Sequence, residues 1–249
     1  MRVTVLGSGT SVPNPDRFPA GYLVETNGRR VLVDLGPGVL RRAAACGLDL
    51  DTIDAVLLTH YHTDHCADLA ALAFGLLNPR YEHRTTLPIL GSAGLVEMFD
   101  RLALAWPWLE RGRKFLELRE IDAGEHEVLG VPLSAIRVEH TAHSLGYRIS
   151  DSRGRVAAFS GDAVDCDALV DLARDADLFV CDTAFPTAAP GVGHMTPTEA
   201  GRRAQQAGAK HLVPTHFYPE CIGHDLEAEA RAVFDGEVTL AEDLLAFEL

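Results

Sequence analysis

The five cysteines, Cys46, Cys66, Cys166, Cys181 and Cys221, include no Cys-x-x-Cys pair and are scattered along 249 residues. This excludes a disulfide framework and a cysteine-built zinc site, and leaves them as small core residues. No apolar run reaches the roughly 18 residues of a membrane span, and glycines interrupt residues 1–10 before a signal peptide's apolar stretch can form. The expectation is a soluble, cytoplasmic protein with no membrane partner. Low-complexity tracts are absent, and 47% hydrophobic against 23% charged residues excludes intrinsic disorder. Basic residues are also scarce: 22 Lys+Arg face 36 Asp+Glu, a formal net charge of -14. Nucleic-acid binding rests on Lys and Arg displacing counterions, so this balance disfavours nucleic acid as a partner and favours a small substrate.

What the chain does have is a regular succession of short apolar strands and helices. Residues 2–6 read as a strand entering the turn Gly7-Ser8-Gly9-Thr10, followed by a proline-rich loop over 11–19. Residues 21–25 and 30–35 form a hairpin around Asn27-Gly28. A helix is expected over 38–46, a strand over 55–59, a buried helix over 66–77, a strand over 87–90 and a helix over 93–104. Further strands are read at 127–128, 133–138, 145–149, 155–160, 178–181 and 211–214, with helices over 165–173 and 196–207. Thr196, Pro197 and Glu199 give the last helix a capped start. Arg111, Arg113, Lys114 and Arg119 interleave with Glu110, Glu117 and Glu120, which reads as a solvated helix or loop face. Two β-rich halves flanked by helices, with no linker between them, suggest one α/β domain over residues 1–249.

Eleven histidines then stand out, and six residues hold three of them. His60-Tyr61-His62-Thr63-Asp64-His65 directly follows an apolar strand, where a rigid scaffold ends and loop side chains converge. Alternation sends His60 and His62 one way and leaves Asp64 and His65 to reach another, so the segment can serve two neighbouring cations. Imidazole and carboxylate are ligands of zinc, manganese and iron, each taking about four to six positions, so further ligands must come from elsewhere. His140, Asp162 and His216, each at the end of a strand, are the candidates. His83, His126, His211 and His224 are read as ordinary surface or hydrogen-bonded histidines.

The segment from Thr59 to His65 resembles the signature of the metallo-β-lactamase superfamily. Leu6-Gly7-Ser8-Gly9-Thr10, with Asp34 before Gly36, narrows the resemblance to the branch similar to ribonuclease Z. Residues 139–149 resemble that branch's third motif, Ser160-Gly161-Asp162 its strand-end aspartate, Gly193-His194-Met195-Thr196 its His-Ser-Thr segment, and Pro214-Thr215-His216 its final ligand histidine. The resemblance runs in order from about residue 3 to 217. It implies a four-layer αββα sandwich with two divalent metal ions at one edge, zinc first, manganese or iron as alternatives. One ion would be held by His60, His62 and His140, the other by Asp64, His65 and His216, with Asp162 bridging. Asp34 would accept the other N–H of a ligand histidine. The pair would activate a shared water as hydroxide nucleophile. Asp64, His194 and Asp182 enter as catalytic residues, His194 protonating the leaving oxygen and Asp182 orienting it. The branch often carries glutamate where Asp182 stands, and His143 has no assigned role.

Transfer-RNA-processing members of that branch insert a long basic arm after the third motif. Here Ile149 to Val156 leaves room only for a tight hairpin. The reading is therefore a hydrolase of small phosphodiesters. The alternatives are an arylsulfatase-like hydrolase of sulfate esters and an RNA-processing nuclease related to ribonuclease Z. Lactone hydrolysis fits the ligand spacing less well, flavodiiron-type chemistry would need glutamate at position 62, and a scaffold role would tolerate lost ligands. The partner expected is a small-molecule ester, and relatives of this kind are often homodimers. Phe18, Trp106, Trp108, Phe185, Phe217 and Tyr218 are candidates to shape the substrate pocket.

Overall fold

Alternating side chains decide the layering. In β1 (Arg2–Gly7), β2 (Gly21–Thr26), β3 (Arg29–Val33) and β4 (Ala55–Leu57), Tyr22, Val24, Val31, Val33 and Leu57 enter one apolar cluster, while Leu23, Leu32 and Val56 between them enter another. β5 (Leu87–Gly91) and β6 (Leu116–Glu120) extend this sheet. The second sheet holds β7 (Gly124–Val128), β8 (Val131–Arg137), β9 (Leu145–Ser150), β10 (Val156–Phe159), β11 (Leu178–Asp182), β12 (His211–Thr215) and β13 (Glu237–Val238). β14 (Ala246–Glu248) returns to pair antiparallel with β1. The structure, a computed structural model, describes residues 1–249.

Each sheet has seven strands, in the orders β14-β1-β2-β3-β4-β5-β6 and β13-β12-β11-β10-β9-β8-β7. Leu133, Tyr147, Ile149 and Phe159 of the second sheet meet Val24 and Val33 of the first in the central core. Helices α1 (Val39–Ala45), α2 (Thr63–Cys66), α3 (Asp68–Gly75), α4 (Leu95–Ala105) and α5 (Leu109–Gly112) belong to the first half of the chain. Leu69, Leu72 and Phe99 from this set pack on the outer face of the first sheet. Helices α6 (Ala168–Ala173), α7 (Pro197–Ala207) and α8 (Leu226–Arg231) cover the second. The result is the αββα sandwich expected, and α7 begins at the capping box formed by Thr196 and Glu199. No helix is long and apolar enough to cross a membrane.

The structure departs from the sequence reading in three places. Residues 116–120, read as a solvated helix or loop, form strand β6, parallel to β5. The alternation Leu116-Glu117-Leu118-Arg119-Glu120 turns leucines inward and charges outward on an edge strand. β13, β14 and the short helices α5 and α8 are absent from the sequence reading because two to six residues carry too little pattern. The end of the histidine segment is helical, since α2 opens with His62 at its N-cap.

β3 and β5 flank β4 in parallel register, as β10 and β12 flank β11. Residues 34, 58–66, 160–162, 182 and 216 follow or close the C-terminal ends of these strands, and all of them reach one edge of the sandwich.

Candidate metal centre

Two backbone positions at this edge adopt a conformation that side chains rarely take. Asp34, the first residue after β3, has φ 61, and His216, the first after β12, has φ 65. Hydrogen bonds hold Asp34: its carboxylate accepts from Thr59 N at 2.8 Å, Thr59 Oγ1 at 2.9 Å and His65 Nδ1 at 2.7 Å. Gly36 is required beside it, because a Cβ there would stand 2.2 Å from the Asp64 carbonyl oxygen.

Asp162 sits between two groups of histidines. Its Oδ2 lies 3.6 Å from His60 Nε2 and 3.6 Å from His140 Nε2. Its Oδ1 lies 3.0 Å from His65 Nε2 and 3.4 Å from His216 Nε2. Around the first group, His62 Nδ1 is 3.0 Å from His60 Nε2 and 3.2 Å from His140 Nε2. Around the second, His216 Nε2 is 3.3 Å from His65 Nε2 and 3.4 Å from Asp64 Oδ2. The far nitrogens are oriented from outside: His60 Nδ1 meets Thr59 Oγ1 at 3.1 Å, His140 Nδ1 donates to the Gly193 carbonyl at 2.9 Å, and Asp34 holds His65.

This arrangement fits cations. Ligands of a tetrahedral zinc at about 2.0–2.1 Å stand about 3.3–3.4 Å apart, and the facing nitrogens match that spacing. Asp162 Oδ1 and His216 Nδ1 are buried without a hydrogen-bond partner, although carboxylate and imidazole surround them. All donors are imidazole nitrogens or carboxylate oxygens, the chemistry that zinc, manganese and iron share. His60, His62, His140 and Asp162 form one grouping that could hold an ion, and Asp64, His65 and His216 another.

Proton affinities follow from the same crowding. Burial pushes His60 down to about 2, assisted by the charge of His65. Burial opposes protonation of His65 too, but Asp162 and Asp34 overcome it and hold that ring well above its ordinary value. His216 is raised to about 10 against burial by Asp162 and Asp182. Burial would raise Asp64, yet His216 and His65 keep it below the usual carboxylate range, as His216 and His65 do for Asp162. The carboxylates therefore demand positive charge here, which protons or divalent cations can supply.

His194 adjoins both groups. Its Nδ1 donates to Asp182 Oδ2 at 2.8 Å and stands 3.9 Å from Asp162 Oδ2, and its ring stacks on His216 with centroids 5.2 Å apart. Burial lowers and Asp182 raises its proton affinity, with a net rise. Asp182 accepts from the Ala163 and Ala184 N–H groups and lies 3.7 Å from His216 Nδ1. Asp162, Asp182, His194 and His216 also make a grouping of ligand type.

The family model described as the beta-lactamase superfamily domain matches residues 29–217. The chain belongs to this superfamily. The superfamily member is 31% identical over 254 residues to the probable metallo-hydrolase YhfI of Bacillus subtilis, with 100% of both chains covered. The crystal structure of YhfI gives a TM-score of 0.86 at 28% identity, covering 99% of this chain and 98% of that one. Ribonuclease Z of Mycobacterium bovis is 31% identical over 278 residues, covering 100% of this chain and 98% of the relative. The short form of human tRNase Z gives a TM-score of 0.79 at 25% identity, covering 100% and 99%. This protein is thus a metallo-hydrolase of the β-lactamase superfamily, similar to ribonuclease Z, and divalent metal binding goes with that family. It lacks the arm: β9 and β10 pair from Ser150 and Val156, and residues 151–155 alone join them.

The sequence-predicted aromatics divide. Phe185 and Tyr218 stack on one another 5.0 Å apart beside His194, and Phe18 walls a cleft of about 540 Å³ with Ser11, Pro13 and Asp64. Phe217 is core, and Trp108, 60% exposed, lines a separate groove with Phe74 and Leu77; Trp106 is exposed too. His83, His126, His211 and His224 face Asp51, the Asp122 carbonyl, Thr239 and Glu229. Sequence reasoning missed the Ser11 N–H, which donates to Asp64 Oδ2 at 3.0 Å, and the Gly193 carbonyl on His140. Backbone groups leave no trace in residue type, so no motif could have revealed them.

Proposed function

We propose that this chain hydrolyses small phosphodiesters with two divalent cations, one held by His60, His62 and His140 and the other by Asp64, His65 and His216, Asp162 being shared. The observation that carries this reading is the division of Asp162, whose two oxygens face two different histidine groups. Cations held there, zinc first and manganese or iron as alternatives, would supply an activated water near neutral pH and charge stabilisation for the oxygens of an in-line displacement.

The chain's own residues supply the rest. Asp182 accepts the Nδ1 N–H of His194 and raises the ring's proton affinity, so that the imidazolium carries a second proton on Nε2 to give to the leaving oxygen. Asp34 holds His65 in one tautomer, and the Gly193 carbonyl does the same for His140. The Phe185–Tyr218 stack forms an aromatic wall beside His194. The short 151–155 connection and the net charge of -14 favour a small diester over an RNA.

The test is hydrolysis of bis(p-nitrophenyl) phosphate by metal-loaded protein, beside an Asp162→Ala control and with p-nitrophenyl sulfate in parallel. Diester turnover that vanishes in the control is expected. Protein holding both metals yet inert on the diester would sink the reading, and activity on the sulfate alone would replace it with sulfate-ester hydrolysis.

A further inference from the structure

Beneath one half of the centre lies a buried polar knot built around Asp243, in the segment that leads to β14. Asp243 Oδ1 accepts from Ser8 N at 3.0 Å and from Ser8 Oγ at 2.8 Å, and Oδ2 accepts from Phe18 N at 2.9 Å. Arg42 stands 3.5 Å from the same carboxylate, whose side chain is 4% exposed. Ser8 Oγ in turn accepts from Arg17 at 2.7 Å, and the Arg17 guanidinium lies 4.6 Å over the Phe217 ring while donating to the Ala241 carbonyl. One carboxylate therefore clamps both ends of the proline-rich loop, at Ser8 and at Phe18.

Both ends lead to the same half of the metal centre. The Ser8 carbonyl accepts from Phe217 N at 3.0 Å, directly after His216, whose left-handed backbone needs support from outside. The clamped loop delivers Ser11 N to Asp64 Oδ2 at 3.0 Å. Ala241 N donates to the Pro214 carbonyl at 2.8 Å, two residues before His216. The hydrogen bonds that orient His60 and His140 come instead from Thr59 and Gly193, outside this knot.

We infer that Asp243 is a positioning residue for the Asp64, His65 and His216 half of the centre and not for the His60, His62 and His140 half. It acts through Ser8, the 8–18 loop and Phe217, so that two ligands of one cation, Asp64 and His216, and none of the other's, depend on a carboxylate far from every motif in the sequence. The inference rests on the two-cation reading above.

Calorimetric titration of the full-length chain with zinc, in competition with a chelator, tests it on Asp243→Asn beside the wild type. Asparagine keeps the size but lacks a second accepting oxygen. The wild type should take up two equivalents. The variant should bind one at wild-type affinity and the other about 10–100-fold more weakly, the usual cost of losing an outer hydrogen-bond partner. Unchanged affinity for both equivalents, or equal weakening of both, overturns the inference, since a general loss of stability would not single out one ion. A wild type that binds one equivalent overturns the two-cation reading and this inference with it. Should Asp243→Asn fail to fold, Ser8→Ala removes only the hydroxyl, and a smaller weakening confined to one equivalent is expected.

Discussion

The two edges of the sandwich use the same residue, aspartate, to opposite ends. At the edge away from the histidines, the turns of β2–β3 and β9–β10 and the entry to β4 enclose a cleft of about 680 Å³ with four arginines and three carboxylates. There Arg29 meets Asp54 at 3.0 Å, Arg30 meets Glu25 at 3.4 Å, and Arg155 meets Asp151 at 2.9 Å. Each pair joins donors to acceptors, so all three carboxylates of the larger cleft are matched and only the Arg153 guanidinium is left over. At the histidine edge the neighbours of Asp162 are imidazole nitrogens that also face one another, at 3.0, 3.2 and 3.3 Å. Neutral imidazoles cannot all donate in that arrangement. Size of cleft is thus a poor guide to chemistry in this fold, and unmatched lone pairs are a good one.

The comparison breaks most readily at His194, which could belong to the proton-transfer machinery or to the ligand set. With His194 as proton donor, His194→Ala should lower diester turnover by roughly 10²–10⁴-fold while the protein still holds two metal equivalents. Loss of an equivalent by the variant would instead make His194 a ligand, in the grouping it forms with Asp162, Asp182 and His216. Turnover against metal content, measured on one preparation, separates the two.

Within the histidine edge, the halves differ in what orients them. His65 is held by the carboxylate of Asp34, whereas His60 and His140 meet a hydroxyl and a carbonyl. Asp34 touches His65 directly and His60 only through Thr59, so Asp34→Asn should weaken one zinc equivalent about 10–100-fold and the other by less. Equal weakening of both would show that the halves do not act separately.

Much of the fold and of the clustering of candidate ligands is legible in the sequence, because donor residues and strands leave dense local patterns. The segment from His60 to His65 packs its donors into six residues, and period-two alternation marks β2, β3, β9 and β10. His140, Asp162 and His216 could be nominated because each follows an apolar run. What stayed hidden depends on long-range geometry. Ser11 contributes only an N–H, and Asp243 is one acidic residue among 36 until β14 folds back against β1. The charged stretch at 116–120 misled because salt-bridged Glu117 and Arg119 mask the inward leucines of an edge strand.

The arginine edge gives the smallest expected effect and the control for all the others. Asp151 is buried there, and its Oδ1 accepts from Arg153 N at 2.8 Å and Arg155 N at 2.9 Å. Burial alone would raise its carboxyl, but these N–H groups and the Arg155 side chain hold it at about 2, below the ordinary 3.8. A depressed native value means that the ionised form stabilises the fold above about pH 4, and that this contribution fades as pH falls toward 2. Asp151→Asn should therefore cost about 2 kcal/mol at neutral pH, the scale of hydrogen bonds to a charged group. The gap from wild type should shrink between pH 4 and pH 2 as measured by chemical denaturation. Zinc stoichiometry and diester turnover should not change, because nothing at this edge touches the histidines. A variant with altered metal binding would show that the two edges are coupled through the sheets, and the contrast between them would fail.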